Sequence, residues 1–259
     1  MVTIHQEQCI RCGLCAENCA VGALGPGEDG SIRCRELLCF RCGQCVAICP
    51  TGAVSMPELE PPLPYESARF DLDPQVLLNA MRFRRSIRRF TGEKLIREEL
   101  EQLLEAGRCA PTSSNTQSVG FFVLDQEFEA MRPAIWDSFA RGAREAGRRG
   151  LVRRYEQYLA NPAGPDTLFY GASQMVAVTA EHVIDGCLAL ANIELLAHAM
   201  GLGALYCGFA ARAITADKAL RDYFGVSDRR PLCGCLVLGR TNLRFCRTAP
   251  RNPARVLWR

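Results

Sequence analysis

The sequence has little excess charge and no long apolar run free of polar residues. Its 31 basic and 28 acidic residues leave a net charge of +3, which gives no reason to expect nucleic-acid binding. The most apolar stretch, residues 183–203, contains Asp185 and Glu194, so it predicts a buried helix and not a membrane span. Residues 1–8 lack a basic segment followed by an apolar one, which argues against a secretory signal.

Histidine is also scarce, whereas cysteine is abundant. The three histidines, His5, His182 and His198, have no metal-ligand spacing. Fifteen cysteines are far more than an average chain carries. Because we expect a cytoplasmic protein, where disulfides are rare, the cysteines indicate metal or redox chemistry.

Eight of the cysteines form two copies of the spacing Cys-x2-Cys-x2-Cys-x3-Cys, and Pro50 follows the second copy. Three thiolates of such a loop hold one [4Fe-4S] cluster, and the fourth ligates the other cluster. This pattern predicts one cluster on Cys9, Cys12, Cys15 and Cys49, and a second on Cys39, Cys42, Cys45 and Cys19. The alternative is a pair of structural zinc sites. Over roughly residues 1–57 the sequence resembles a bacterial-type ferredoxin with two [4Fe-4S] clusters.

A proline-rich segment separates this part from the rest of the chain. Residues 57–64 contain four prolines, which favour a stiff, extended spacer. We therefore expect a ferredoxin-like domain at 1–57, a linker at 58–73 and a second domain at 74–259.

The second domain has the pattern of a mixed helix and sheet fold. Short apolar runs predict strands over 121–124, 175–179 and 236–238, and apolar periodicity predicts a helix over 93–107. Residues 185–200 predict a central core helix that Gly201 ends. Thr215 is the expected N-cap of a further short helix.

A cluster of arginines opens the second domain. Arg84, Arg85, Ser86 and Arg88 offer forked donors and a hydroxyl, which suit a phosphate or the pyrimidine edge of a flavin. The alternative is a solvated basic run. Further segments follow in order, with polar or glycine residues at Asn115, Gln117, Gly201, Gly203, Gly208, Arg247 and Arg251.

Together these segments resemble the FMN-dependent nitroreductase family over roughly residues 75–259. The whole chain resembles the ferredoxin–nitroreductase fusions of anaerobic microbes. The resemblance implies an α+β fold with a central sheet and core helix, in a homodimer that binds FMN at the subunit interface.

The resemblance also assigns residues to FMN. Arg84, Arg85, Ser86 and Arg88 would hold its phosphate and pyrimidine ring, and Asn115, supported by Gln117, would reach the isoalloxazine edge. The backbone around Cys207 and Gly208 would face N5, the reactive atom, while Arg247 and Arg251 would complete the phosphate site. No side chain is predicted to act as a catalytic acid.

Several conspicuous residues have less specific interpretations. The arginines of residues 141–154 form either a solvated face or a surface for an acidic redox partner or an anionic substrate. Cys233 and Cys235 are expected in the core, and redox activity there would need a neighbour that stabilises a thiolate. The remaining cysteines are interpreted as small buried apolar residues, namely Cys34, Cys109, Cys187 and Cys246.

The expected function is that of an oxidoreductase. Electrons would pass from the two clusters through FMN to a small organic acceptor such as a nitroaromatic, a quinone or an enone. The donor would be an external ferredoxin or NAD(P)H. The alternatives are a flavin reductase fed by NAD(P)H, with the clusters as the electron exit, and a non-catalytic redox carrier or sensor.

Overall fold

The computed structural model shows two compact units. The residues that it describes are 1–162, 164 and 166–259, with the side chains of residues 68 and 69 left aside. The first unit comprises residues 1–71 and 113–116, and the second comprises 72–112 and 117–259. The domain limits expected from the sequence stay a prediction.

The first unit repeats one loop-and-helix pattern. Its elements are β1 (Thr3–Ile4), α1 (Leu14–Glu17), β2 (Leu24–Pro26), β3 (Ile32–Cys34), α2 (Gln44–Ile48), β4 (Val54–Ser55) and α3 (Ser67–Phe70). The left-handed glycines Gly13 (φ 81°) and Gly43 (φ 74°) turn the chain into α1 and α2. β1 pairs with β4, and β2 pairs with β3, both antiparallel. The β1–β4 pair joins the two ends of the duplicated segment.

An antiparallel sheet lies at the centre of the second unit, with the strand order β5-β6-β8-β7. The elements are α4 (Pro74–Phe83), α5 (Arg97–Arg108), β5 (Gly120–Leu124), α6 (Phe128–Glu145), α7 (Arg149–Ala160), β6 (Gln174–Thr179), α8 (Val183–Ala199), β7 (Gly203–Tyr206), α9 (Gly208–Ala216), α10 (Lys218–Tyr223) and β8 (Leu232–Gly239).

Helices cover both faces of this sheet, so every residue of β6 is buried. Its alternate residues enter two separate apolar cores: Met175 lies in one core and Val176 in the other. The α+β class expected from the sequence is confirmed. Within the described part of the chain, no helix combines the length and apolarity that a membrane span needs.

The predicted core helix is α8, which packs against α5 and β8. Ala189, Leu190 and Ile193 are each at most 1% exposed. The helix ends before Gly201, whose φ of 71° places it in the left-handed region that favours glycine.

The expectation of a helix capped by Thr215 is wrong. α9 continues to Ala216, and the Thr215 hydroxyl donates to the Ala211 carbonyl within that helix at 2.9 Å. Asp217 caps α10 instead, because its carboxylate accepts a hydrogen bond from the Leu220 N–H at 3.1 Å.

Candidate cluster-binding and cofactor-binding sites

Four of the predicted cluster ligands line one small cavity of the first unit. Cys9, Cys12 and Cys15 come from the loop that leads into α1, and Cys49 follows α2 in the second repeat. Apolar side chains from β1, β3 and β4 complete the wall. The four cysteines are the crossed set predicted for the first cluster, with three cysteines from one repeat and one from the other, and their role as ligands stays a prediction.

The second predicted set includes the three cysteines of the loop that leads into α2. Burial raises the pKa of Cys45, and the nearby Cys39 and Cys42 raise it further. The Sγ of Cys39 also accepts a hydrogen bond from the Arg41 N–H at 3.3 Å. The place of Cys19 in this set stays a prediction.

The last cysteine of each repeat has an environment that favours its thiolate, the form that ligates iron. Burial acts to raise the pKa of Cys19, but hydrogen bonds from backbone N–H groups, including that of Ala23 at 3.1 Å, lower it overall. Burial likewise opposes the Cys49 thiolate, and hydrogen bonds from the side chain and backbone of Thr51 outweigh that effect. At both equivalent positions, hydrogen bonds therefore lower the cysteine pKa more than burial raises it.

The four cysteines interpreted as buried small residues are less buried than expected. Cys34 is half-buried in β3, and Cys109, Cys187 and Cys246 are exposed. Burial, together with the neighbouring Cys39, raises the pKa of Cys34 to about 11, so its thiol stays protonated at neutral pH. The interpretation rested on the general tendency of free cysteine to be buried and not on the residues around each one.

Three residues predicted to contact FMN line a single cavity of about 180 Å³ in the second unit. They are Arg88, Cys207 and Gly208. Tyr206, Phe209 and Arg212 lie in the same wall. Among the described residues, neither Arg88 nor Arg212 has a carboxylate partner, so both guanidiniums can bind an acceptor-rich ligand. We call this the Arg88 cavity.

The backbone at the start of α9 leaves space beside the Arg88 cavity. A Cβ atom placed on Gly208 would meet nothing within 4 Å, so a flat ring could approach this backbone closely. The N-terminus of α9 also carries partial positive charge. The Cys207 Sγ donates to the carbonyl of Leu168, another residue of the cavity wall, at 3.5 Å, and burial raises the pKa of this thiol to about 11.

Arg84 and Arg85 line a different cavity, of about 240 Å³, together with Glu194, His198 and Arg244. The Arg84 guanidinium forms an ion pair with Glu194, whose side chain is only 8% exposed. Burial raises the pKa of Glu194 even though Arg84 acts to lower it. Arg84 is therefore already held by a carboxylate, whereas Arg88 is not.

Family models match both parts of the chain. The model of the nitroreductase family matches residues 81–240, and a 4Fe-4S dicluster domain matches residues 8–53. The chain belongs to the nitroreductase family. It is an oxidoreductase in which an iron–sulfur domain precedes the nitroreductase domain.

Solved nitroreductases share the fold of this chain. A nitroreductase with bound FMN from Desulfitobacterium hafniense is 22% identical, with a TM-score of 0.55, and covers 68% of this chain and 94% of its own. One with bound FMN from Bacteroides fragilis is 21% identical, with a TM-score of 0.56, over 70% and 98%. An FMN-dependent nitroreductase from Clostridium difficile is 18% identical, with a TM-score of 0.53, over 70% and 98%. No curated protein matches the sequence significantly.

The other predicted FMN contacts lie outside the Arg88 cavity of this nitroreductase-family protein. Asn115 groups with the first unit, where its side-chain amide donates to the Arg41 carbonyl at 3.0 Å. Gln117 has a left-handed backbone (φ 48°), and its N–H donates to the Thr112 hydroxyl at 3.0 Å. Ser86 is half-buried, while Arg247 and Arg251 are exposed in a tail without regular structure. Their roles stay predictions.

Sequence reasoning missed Tyr206, Phe209 and Arg212. Phe209 and Arg212 are three residues apart on α9, a spacing that places them on one helix face. Burial and the negative charge of Glu194 raise the pKa of Tyr206 to about 12, so its hydroxyl stays protonated at neutral pH. Only a prediction of β7 and of the start of α9 could have identified them.

Proposed function

We propose that this protein passes electrons from two [4Fe-4S] clusters through FMN to a small organic acceptor of the nitroaromatic, quinone or enone class. The clusters would lie on the two crossed cysteine sets. The Arg88 cavity, of about 180 Å³, would hold part of FMN, and the partner subunit of the proposed homodimer would complete the site. The observation that carries the proposal is the Arg88 cavity, which is lined by Gly208 at a helix N-terminus and by two arginines that have no carboxylate partner among the described residues. The bound FMN of the Desulfitobacterium and Bacteroides nitroreductases supports the same cofactor.

When bound, FMN supplies an acceptor of two electrons that can be filled one electron at a time, as iron–sulfur clusters deliver them. The residues of this chain orient and polarise it. Arg88 would bind FMN through its guanidinium, and its positive charge would favour the cofactor's negatively charged reduced form. Gly208 permits close approach of the backbone. Tyr206 also lines the cavity, and its hydroxyl stays protonated at neutral pH because its pKa is raised to about 12.

A change of Arg88 tests the cofactor assignment. Arg88→Ala should weaken FMN binding about tenfold or more, because a charge-assisted hydrogen bond is lost. Iron and sulfide should remain at about eight atoms each per chain, as two cubanes require. The measurement is the content of iron, sulfide and released flavin after anaerobic purification, together with the Kd for FMN.

Arg89→Ala is the matched control, since Arg89 is exposed and does not line the Arg88 cavity. It should leave FMN affinity unchanged. If Arg88→Ala retains full affinity for FMN, the arginine cluster around Arg88 is not part of the cofactor site.

The direction of electron flow has a separate test. Anaerobic addition of reduced ferredoxin should bleach the flavin faster than NADH or NADPH does. Rapid bleaching by NAD(P)H alone, in a variant that lacks both clusters, would instead support the flavin reductase fed by NAD(P)H. A bleached flavin that no nitroaromatic, quinone or enone reoxidises would support a carrier or sensor.

The proposed assembly is a homodimer with FMN at the interface. The C-terminal tail supports it, because Val256, Leu257 and Trp258 are 58%, 76% and 89% exposed. Such apolar exposure is typical of a segment that packs on a partner. Light scattering of the holoenzyme should give a mass of about twice 28.6 kDa.

A further inference from the structure

A second cavity, of about 320 Å³, lies among α6, α7 and α9 of the nitroreductase domain. Its walls are largely apolar, with Phe139 and Ala143 from α6, Leu151 from α7, and Phe209 and Ala213 from α9. Its volume is near the lower limit of small-molecule sites. We call it the lid cavity. It suits a ligand with a single apolar ring.

Two arginines, Arg148 and Arg212, give this apolar cavity a positive charge. Neither has a carboxylate partner among the described residues, and none of the described residues lining the cavity is acidic. Ser138 is already engaged, because its hydroxyl donates to the Ala213 carbonyl at 2.9 Å. Two unpaired guanidiniums beside an apolar wall are suited to an anionic group on an apolar body.

Two other arginines of residues 141–154 have partners of their own. Arg141 forms an ion pair with Asp217 at 3.1 Å, and the guanidinium of Arg144 lies 5.3 Å from the centre of the Tyr155 ring. Arg148 differs from these two because it lines a cavity and has no carboxylate partner in the part of the chain that the structure describes.

The lid cavity and the Arg88 cavity share two side chains. Phe209 and Arg212 line both, and the Phe209 ring packs against Phe139 with their centres 5.0 Å apart. A ligand in the lid cavity is thus separated from the candidate flavin site by single side chains. An acceptor bound there would lie next to the site of the cofactor that reduces it.

We infer that the lid cavity binds the electron acceptor and selects acceptors with a carboxylate or another anionic group on an aromatic ring, through Arg148 and Arg212. The inference rests on the proposed function and names its substrate class. Reduction of a nitro group to a nitroso group breaks one N–O bond. It takes two electrons from the reduced cofactor and two protons from solvent, and releases one water.

The probes are 4-nitrobenzoate and its neutral analogue of similar shape, 4-nitrobenzamide. Isothermal titration calorimetry on the oxidised holoenzyme should show tighter binding of the acid by about tenfold or more. Arg148→Gln should reduce that preference about tenfold and change the Kd of the amide less than twofold. Arg153→Gln, an exposed change on α7 outside the cavity, should preserve the preference.

A cavity-filling variant gives an independent readout. A Cβ atom on Gly142, which lines the lid cavity, would meet nothing within 4 Å. Gly142→Leu should therefore fold and abolish binding of both probes. Gly150→Leu is the matched control, because Gly150 has the same free space but does not line the cavity.

Equal affinity of the wild type for acid and amide, or a preference that Arg148→Gln retains, would overturn the inference. The proposed function is tested separately, by mixing reduced, desalted holoenzyme with each probe and following flavin reoxidation. Reoxidation by the amide with no preference for the acid leaves the function standing and refutes the anion site. If the acid binds tightly but neither probe reoxidises the flavin, the proposed function is refuted and the anion site in the lid cavity is supported.

Discussion

At the residue scale, the arginines of the second domain differ in what surrounds them more than in their sequence context. Arg84 and Arg88 are separated by three residues in one basic run, yet Arg84 is paired with Glu194 and Arg88 faces a cavity without a carboxylate. The pair Arg84–Glu194 spans 110 positions of the chain. No local pattern in the sequence could have predicted this ion pair. From the sequence alone, Arg84 and Arg88 were therefore assigned the same role in binding FMN.

Glu194 provides a test of this buried pair. Burial raises the pKa of its carboxyl above the ordinary value despite Arg84. Such a group binds more protons folded than unfolded, so its contribution to stability falls as pH rises from the unfolded pKa through the folded one.

We therefore expect the wild type to gain Tm relative to Glu194→Gln as pH is lowered from about 7 to about 5. Thermal melts of both proteins at the two pH values measure this difference. If the Tm of the wild type minus that of Glu194→Gln stays constant or falls as the pH is lowered, the pKa of Glu194 is not raised.

At the element scale, periodicity identified the central elements but not their ends or partners. The strands β5, β6 and β8 and the helix α8 were predicted because their apolar residues form continuous local patterns. β7 was missed because two of its four residues, Gly203 and Ala204, are small, so it shows no run of large apolar side chains. Thr215 was taken for a cap because hydroxyl and carboxylate side chains both suit that position.

The packing of α8 on β8 depends on a glycine. A Cβ atom on Gly186 would lie 2.3 Å from the Sγ and 2.6 Å from the Cβ of Cys233. Gly186→Ala should therefore lower the free energy of unfolding by about 1–3 kcal/mol, because the helix must move away from the sheet.

Urea denaturation checks this value against Gly142→Ala, a helical glycine with nothing within 4 Å. That control should be neutral or more stable by up to about 1 kcal/mol. Equal free energies of unfolding for the two variants would mean that α8 and β8 accommodate the added methyl group without loss of stability.

At the scale of the whole molecule, the duplicated cysteine spacing implies that each cluster depends on both repeats. The cavity lined by Cys9 and Cys49 agrees with that crossed arrangement. If it is correct, Cys9→Ala and Cys49→Ala each remove the same cluster, so the double variant should lose no more iron than either single one. Each should retain about four of about eight irons.

The pair Cys9→Ala with Cys19→Ala is the contrasting double variant, because it removes a ligand from each predicted cluster. It should lose nearly all iron. Iron content and the spectra of the reduced clusters, measured on anaerobically purified protein, distinguish the two doubles. Additive iron loss in the first double variant would contradict crossed ligation.

The sequence by itself determined the iron–sulfur part, the nitroreductase resemblance and the central core helix. Ligand spacing and apolar periodicity are local properties, and neighbouring residues alone create them. Only the tertiary structure decided which arginines lack a carboxylate partner among the described residues, that Phe209 and Arg212 line two cavities, and that Gly186 lies against Cys233. Those facts depend on contacts between segments distant in the chain, and the packing of α6, α8 and α9 around the sheet creates them.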